Sequence, residues 1–253
     1  MFDLSLKNDG VATLVLNAPE RLNALRKDDW TRLAALVSEL SSEPTLRALL
    51  IKGAGEKAFC AGGDIKEFQA LRMGADAAQV YNTEVDKALA AIIAVPVPTL
   101  AQIHASCFGG GLMIALSCDL RFAKTEASFC APPAKMSFTY NVSAIQLLVD
   151  LIGKGRAKDL LFTARTFGAD EALALGLLNG VSDNLEALVE KRLGQILALA
   201  PLSHRAHKTI LSENPEPGSL AERALTDHLY DSEDYRAAVE AFAARTKPTF
   251  KGQ

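Results

Sequence analysis

Leu46-Arg47-Ala48-Leu49-Leu50-Ile51 is almost wholly apolar, the pattern of a strand covered on both faces. Such a strand needs a layer above it and a layer below it, so the chain is read as a layered α/β protein. Around that strand the hydrophobic period alternates between 2 and 3.6. Phe2 to Leu6 and Val11 to Leu16 read as short strands flanking Asn8-Asp9-Gly10, and an Asp-Gly step between alternating segments signals a hairpin. Trp30, Leu33, Leu36, Val37 and Leu40 recur at helical spacing, which predicts an amphipathic helix over 27–42. A second helix runs from about Ala77 to Ala94 and stops before Pro96 and Pro98. A strand over Thr99–Ile103, a short buried helix over 110–117 and a strand over Leu120–Ala123 follow.

Beyond about residue 143 the pattern turns almost wholly helical, with segments at Ala144–Ile152, Ala157–Thr163, Asp170–Leu175, Leu185–Leu199, Ser203–Leu211, 218–230 and 232–244. Strand–strand–helix units thus fill the first two thirds and helices the last third. The expected organisation is an α/β core over 1–200 and a helical C-terminal region over 201–253. Leu220, Leu225, Leu229, Tyr230 and Phe242 give that region more apolar surface than an appended segment needs, so it is expected to pack on neighbouring subunits in a trimer or hexamer.

Composition excludes several function classes. The net charge of −3 carries no basic stripe, so no nucleic-acid footprint is present. No apolar run reaches the roughly 18 residues of a membrane-spanning helix, and the first residues lack the basic and apolar regions of a signal peptide. A cytoplasmic protein is expected. Cys60, Cys107, Cys118 and Cys130 form no Cys-x-x-Cys pair and read as scattered free thiols. His204 and His207 share a helix face but have no further ligand nearby in sequence, so no metal is expected.

Two glycine turns are the places for chemistry. Ala58-Phe59-Cys60-Ala61-Gly62-Gly63-Asp64-Ile65 and Cys107-Phe108-Gly109-Gly110-Gly111-Leu112-Met113 each follow a strand and lead into a helix. Neither is a nucleotide phosphate loop. Backbone N–H groups at a helix start are unpaired and favour negative charge, and glycine admits close approach. Two such turns face to face can aim two N–H groups at one carbonyl oxygen. From spacing alone, tight helix–strand packing accounts for the glycines equally well.

A resemblance goes further. Asn17-Ala18-Pro19-Glu20-Arg21-Leu22-Asn23-Ala24-Leu25, the segment 58–68 and Gly109-Gly110-Gly111 resemble the N-terminal signatures of the crotonase (enoyl-CoA hydratase/isomerase) superfamily. Leu161-Phe162-Thr163-Ala164, the segment Ala172–Asn179 and the ending Ala241-Phe242 … Lys247-Pro248-Thr249-Phe250-Lys251-Gly252 resemble it as well. The likeness spans the chain in order. It implies a crotonase-like spiral of strand–strand–helix units, a trimer or dimer of trimers, an acyl-CoA substrate and no separate cofactor. By the same resemblance the oxyanion hole maps onto the N–H groups of Ala61 and Gly110. Arg21, Leu22 and Ala24, with Gly62, Asp64 and Ile65, map onto the CoA-binding region.

The pattern then departs from the family. A hydratase of this type flanks the double bond with two glutamates, one activating water and one handling the α-proton. Met113 and Pro133 stand at those positions, and neither transfers a proton. Lys135, Ser137, Thr139, Tyr140 and Asn141 remain nearby. Thr139-Tyr140-Asn141 and Tyr230-Asp231-Ser232-Glu233-Asp234-Tyr235 resemble methylmalonyl-CoA decarboxylase within the superfamily, although that subfamily often has His and Glu where this chain has Gly63 and Met113. Losing carbon dioxide from a malonyl-type thioester yields the enolate without a base, and Tyr140 is the residue expected to orient the substrate or donate a proton. Hydration or isomerisation through a displaced acid, and binding without catalysis, stay open. Glu67 is the fallback acid, Asp64 is read as a helix cap and His104 as a core histidine. Lys247 and Lys251 are either a solvated tail or contacts for a CoA phosphate.

Overall fold

The computed structural model describes residues 1–253. Strands β1 (Phe2–Leu6) and β2 (Val11–Leu16) form the expected antiparallel hairpin, with Phe2 opposite Leu16 and Leu6 opposite Ala12. Asp9 fixes the turn by accepting the Val11 N–H at 3.0 Å. Helix α1 (Lys27–Leu40) then buries Trp30, Leu33, Val37 and Leu40, the face its periodicity predicts.

The chain next alternates between two sheets. β3 (Ala48–Gly53) pairs in parallel with β2, whereas β4 (Ala58–Cys60) opens a second sheet. The short helix α2 (Phe68–Leu71) and the long α3 (Ala75–Ile93) complete this unit. β5 (Thr99–Ile103) joins the first sheet, β6 (Ser106–Phe108) the second, and α4 (Gly110–Ser117) follows. β7 (Leu120–Ala123) and β8 (Ser128–Cys130) repeat the step before α5 (Val142–Thr163). Each repeat therefore adds one strand to each sheet and one helix, which is the spiral of strand–strand–helix units. β9 (Thr166–Gly168) closes the second sheet antiparallel to β8, α6 (Ala169–Leu175) follows, and β10 (Gly180–Val181) ends the first sheet in parallel with β7. The orders are β1-β2-β3-β5-β7-β10 and β4-β6-β8-β9.

The region after residue 143 is almost wholly helical, as expected, with only the short β9 and β10 inside it. Two expectations are corrected. The two helices expected over Ala144–Ile152 and Ala157–Thr163 are one element, α5, broken where Gly153 takes φ 78°. β3 also begins two residues later than the apolar run, since the Arg47 N–H is held by the Gly10 carbonyl at 2.8 Å and the chain is still turning there.

Helix α4 sits at the centre, and all residues from Gly111 to Ser117 are buried. That explains its lack of any polar face. Helices α7 (Leu185–Leu197) and α8 (Pro201–Glu213) pack outside, and Lys208 Nζ on α8 reaches Val97 O at 3.1 Å and Asp119 Oδ2 at 2.7 Å. Helices α9 (Leu220–Tyr230) and α10 (Glu233–Ala244) come last. Buried Asp234 accepts the N–H groups of Lys251 and Gly252 at 2.6 and 2.8 Å, folding the tail back on α10. α9 buries no residue, and Leu220 and Phe242 are 84% and 87% exposed. No helix is long and apolar enough to cross a membrane.

Candidate active site

The segment 21–25 is pinned to the first glycine turn by one side chain. Leu22 and Asn23 both take φ 56°, in the left-handed region. Asn tolerates that conformation better than most residues, and Asn23 is fully buried. Its Oδ1 accepts the Ala18 N–H at 2.9 Å, and its Nδ2 donates to the carbonyls of Ala54 and Ala58 at 2.9 and 2.8 Å. Leu25 then bridges the turn itself, donating to Gly62 O at 2.7 Å and accepting from Asp64 N at 2.8 Å.

The two glycine turns meet backbone to backbone. Gly62 has φ +101°, and a Cβ built on it would lie 2.8 Å from Gly110 N. A Cβ on Gly110 would lie 2.8 Å from Cζ2 of Trp30, and one on Gly111 only 2.2 Å from Cys60 O. The glycines are thus needed for packing, and the same packing brings Gly110 N to the seam. As the first residue of α4, Gly110 has no partner for its N–H within the helix. The other expected donor is engaged: Ala61 N–H donates to Leu22 O at 3.0 Å.

Above this seam lies a cleft of about 740 Å³, its open mouth included. Ala61, Gly63 and Ile65 come from the first turn, Gly109, Gly110 and Met113 from the second. Helix α3 contributes Tyr81, Asn82, Val85, Asp86 and Leu89, a single helical face. Phe138, Thr139, Tyr140 and Asn141 form the remaining wall beside Pro132.

Of the residues singled out in sequence, Ala61, Gly110, Ile65 and Tyr140 line this cleft. Gly62 lies directly behind it, whereas Arg21, Leu22 and Ala24 are not among its lining residues. Arg21 Nη2 pairs with Asp29 Oδ2 at 2.7 Å. Asp64 caps the short turn Ile65–Glu67 by accepting Lys66 N–H at 3.1 Å. The Tyr140 hydroxyl is buried with no hydrogen-bond partner, and burial, with Cys130 and Cys107 nearby, pushes its pKa upward. Met113 lines the cleft at 2% exposure, and Pro133 is buried one residue beyond the lining Pro132.

Other candidates lie elsewhere. Glu67, expected as the fallback acid, is not among the cleft-lining residues: its Oε2 accepts the Lys27 N–H at 2.9 Å and satisfies the start of α1. His104 is outside the cleft, and burial lowers its pKa. His204 and His207 line a separate groove near Asp234 and Phe250, and no three His, Cys, Asp or Glu side chains are grouped to hold a metal. All four cysteines are buried free thiols. The Lys247 and Lys251 side chains are exposed.

Two cleft residues escaped sequence reasoning. Asp86 is the one carboxylate in the lining; burial raises its pKa, and Asn141 Nδ2 donates to its Oδ1. Its helical register with Val85 and Leu89 was the available signal. Arg72 lies just before α3, outside any periodic pattern. Its guanidinium carbon stands 4.3, 4.8 and 5.2 Å from the ring centroids of Phe138, Phe68 and Tyr81. Its Nη2 donates to Asn82 Oδ1 at 2.7 Å.

Comparison with known proteins adds to this geometry. The family model described as enoyl-CoA hydratase/isomerase matches residues 6–253. The chain is 32% identical over 252 residues to a crotonyl-CoA hydratase of Syntrophomonas wolfei, covering 96% of this chain and 95% of that one. It is 30% identical over 247 residues to a short-chain-enoyl-CoA hydratase of Clostridium acetobutylicum, covering 95% and 94%. Among solved structures, an enoyl-CoA hydratase/carnithine racemase from Magnetospirillum magneticum superposes with a TM-score of 0.94 at 34% identity, over 100% of this chain and 96% of that one.

Proposed function

The chain belongs to the enoyl-CoA hydratase/isomerase family, and from that premise we propose that it converts an acyl-CoA thioester through an enolate formed without paired glutamates. The observation that carries this reading is the buried Met113 in the cleft wall, with Pro132 and Pro133 beyond it. The thioester oxygen would sit at the seam of the glycine turns, against Gly110 N–H. Ala61 N–H would join it on release from Leu22 O. Donors placed where charge develops stabilise an enolate most strongly.

Decarboxylation of a malonyl-type thioester is the leading reaction. The bond between the α-carbon and the carboxylate breaks, its electron pair becomes the enolate, and carbon dioxide leaves. A proton from the Tyr140 hydroxyl then reaches the α-carbon, and solvent restores the hydroxyl. The hydroxyl's place in the cleft wall with no protein partner supports that role; burial makes it a weak acid, which yields its proton only to a base as strong as an enolate. Tyr140→Phe is expected to slow malonyl- or methylmalonyl-CoA decarboxylation about 10²-fold or more, the scale of one general acid. Its melting temperature should stay near wild type, because the lost hydroxyl bonds nothing. An unchanged kcat removes Tyr140 from the reaction.

Asp86 favours a second reading, isomerisation or hydration through a displaced acid. Its raised pKa and its contact with Asn141 suit proton transfer. Asp86→Asn separates the two readings: it should abolish an isomerase or hydratase activity and leave decarboxylation in place.

Assembly is part of the proposal. The exposed Leu220, Tyr230, Val239 and Phe242 on α9 and α10 support a cyclic trimer or hexamer with these helices between subunits. Light scattering at micromolar concentration is expected to give three or six chains, and a monomer contradicts this assignment.

A further inference from the structure

Arg72 stands in the cleft without a counter-ion. None of the chain's ion pairs includes it. The only hydrogen bond of its side chain is the one from Nη2 to Asn82, so Nε and Nη1 have no protein partner. The aromatic faces of Phe68, Tyr81 and Phe138 hold the guanidinium plane in place, but they supply no negative charge. A cation oriented in a largely apolar cleft, its fork partly unused, matches the two oxygens of a carboxylate.

Its place relative to the glycine seam sets the ligand's shape. Trp30 packs against Gly110, Trp30 Nε1 donates to Tyr81 Oη at 3.3 Å, and the Tyr81 ring lies 5.2 Å from the Arg72 guanidinium. Two aromatic side chains therefore separate the donor for the thioester oxygen from the free cation. Asp86, the cleft's own carboxylate, forms no ion pair with Arg72 and is held by Asn141 instead.

We infer that Arg72 selects an acyl group ending in a second carboxylate, so that the substrate class is the CoA monothioester of a dicarboxylic acid. The inference rests on the acyl-CoA reading above and deepens it. Arg72 contributes to binding and orientation, and it takes no proton.

Calorimetric titration of malonyl-, succinyl- and glutaryl-CoA against acetyl-, propionyl- and butyryl-CoA tests it, with wild type, Arg72→Met and Arg72→Lys. At least one acidic thioester should bind wild type about 10- to 100-fold more tightly than its uncharged counterpart, the scale of a hydrogen-bonded ion pair. The chain length that shows the preference reports the span to Arg72. Arg72→Met keeps contact with the aromatic rings and should lose the preference, so that acidic and uncharged thioesters of equal length bind it alike. Arg72→Lys should keep part of the preference, having charge without the fork. The wild-type series decides by itself even if a variant fails to fold: equal affinity for acidic and uncharged members overturns the inference. So does a preference that survives in Arg72→Met. If wild type binds no CoA thioester and no free CoA, it is the acyl-CoA reading that fails.

Discussion

Crotonyl-CoA offered to this protein should be hydrated at least about 10⁴-fold more slowly than by a relative that has both acids. Hydration adds water across a double bond, so one group must take a proton from water while another delivers one to the α-carbon. Each such general acid or base contributes roughly 10²–10⁴-fold. On the proposed reading Met113, at 2% exposure, stands at one of these positions and buried Pro133 at the other. Glu67 does not line the cleft, and its Oε2 accepts the Lys27 N–H. Asp86 remains, but a single carboxylate on α3 does not flank the double bond from two sides. Loss of enoyl absorbance under saturating substrate measures the rate. A turnover near 10 s⁻¹, ordinary for an enzyme, would sink the argument, and Asp86→Asn would then show whether Asp86 is responsible. The relatives' names do not bear on this outcome, because about 30% identity preserves the scaffold while single side chains decide the chemistry.

The fold was legible wherever an element was long enough to show its period. β1, β2, α1, β5, α4 and β7 lie where alternation or helical spacing put them. The second sheet was not legible as strands. β4, β6, β8 and β9 have three residues each, β10 in the first sheet has two, and so short a stretch shows no alternation. Their pairing comes from the spiral, which lays each beside its predecessor. In the site, the glycine turns were visible because Gly-Gly and Gly-Gly-Gly are rare punctuation. That they touch could be inferred only by resemblance. The use of Ala61 N–H by Leu22 O was hidden, because it depends on two consecutive left-handed residues held by buried Asn23. Arg72 was hidden for a related reason. Its importance lies in three rings from three separate segments, and nothing local marks it.

Gly62→Ala should lower kcat about 10²–10³-fold for any reaction through the enolate, the cost of losing one preorganised donor. An added Cβ would meet Gly110 N at 2.8 Å and Phe108 O at 3.0 Å, both backbone atoms. Neither can swing aside as the end of a flexible side chain would. The turns must part, and Gly110 N–H leaves the position from which, on the proposed reading, it would meet the thioester oxygen. The same substitution forces alanine to φ +101°, a strain of about 1–3 kcal/mol in its own right. Gly153→Ala separates the two effects. Gly153 is exposed, has φ +78°, and a Cβ there meets nothing within 4 Å. It should lower the melting temperature through strain while leaving kcat near wild type. Chemical denaturation and steady-state kinetics on both variants give the comparison. If Gly62→Ala turns over like wild type, the thioester oxygen does not sit at the seam of the two glycine turns.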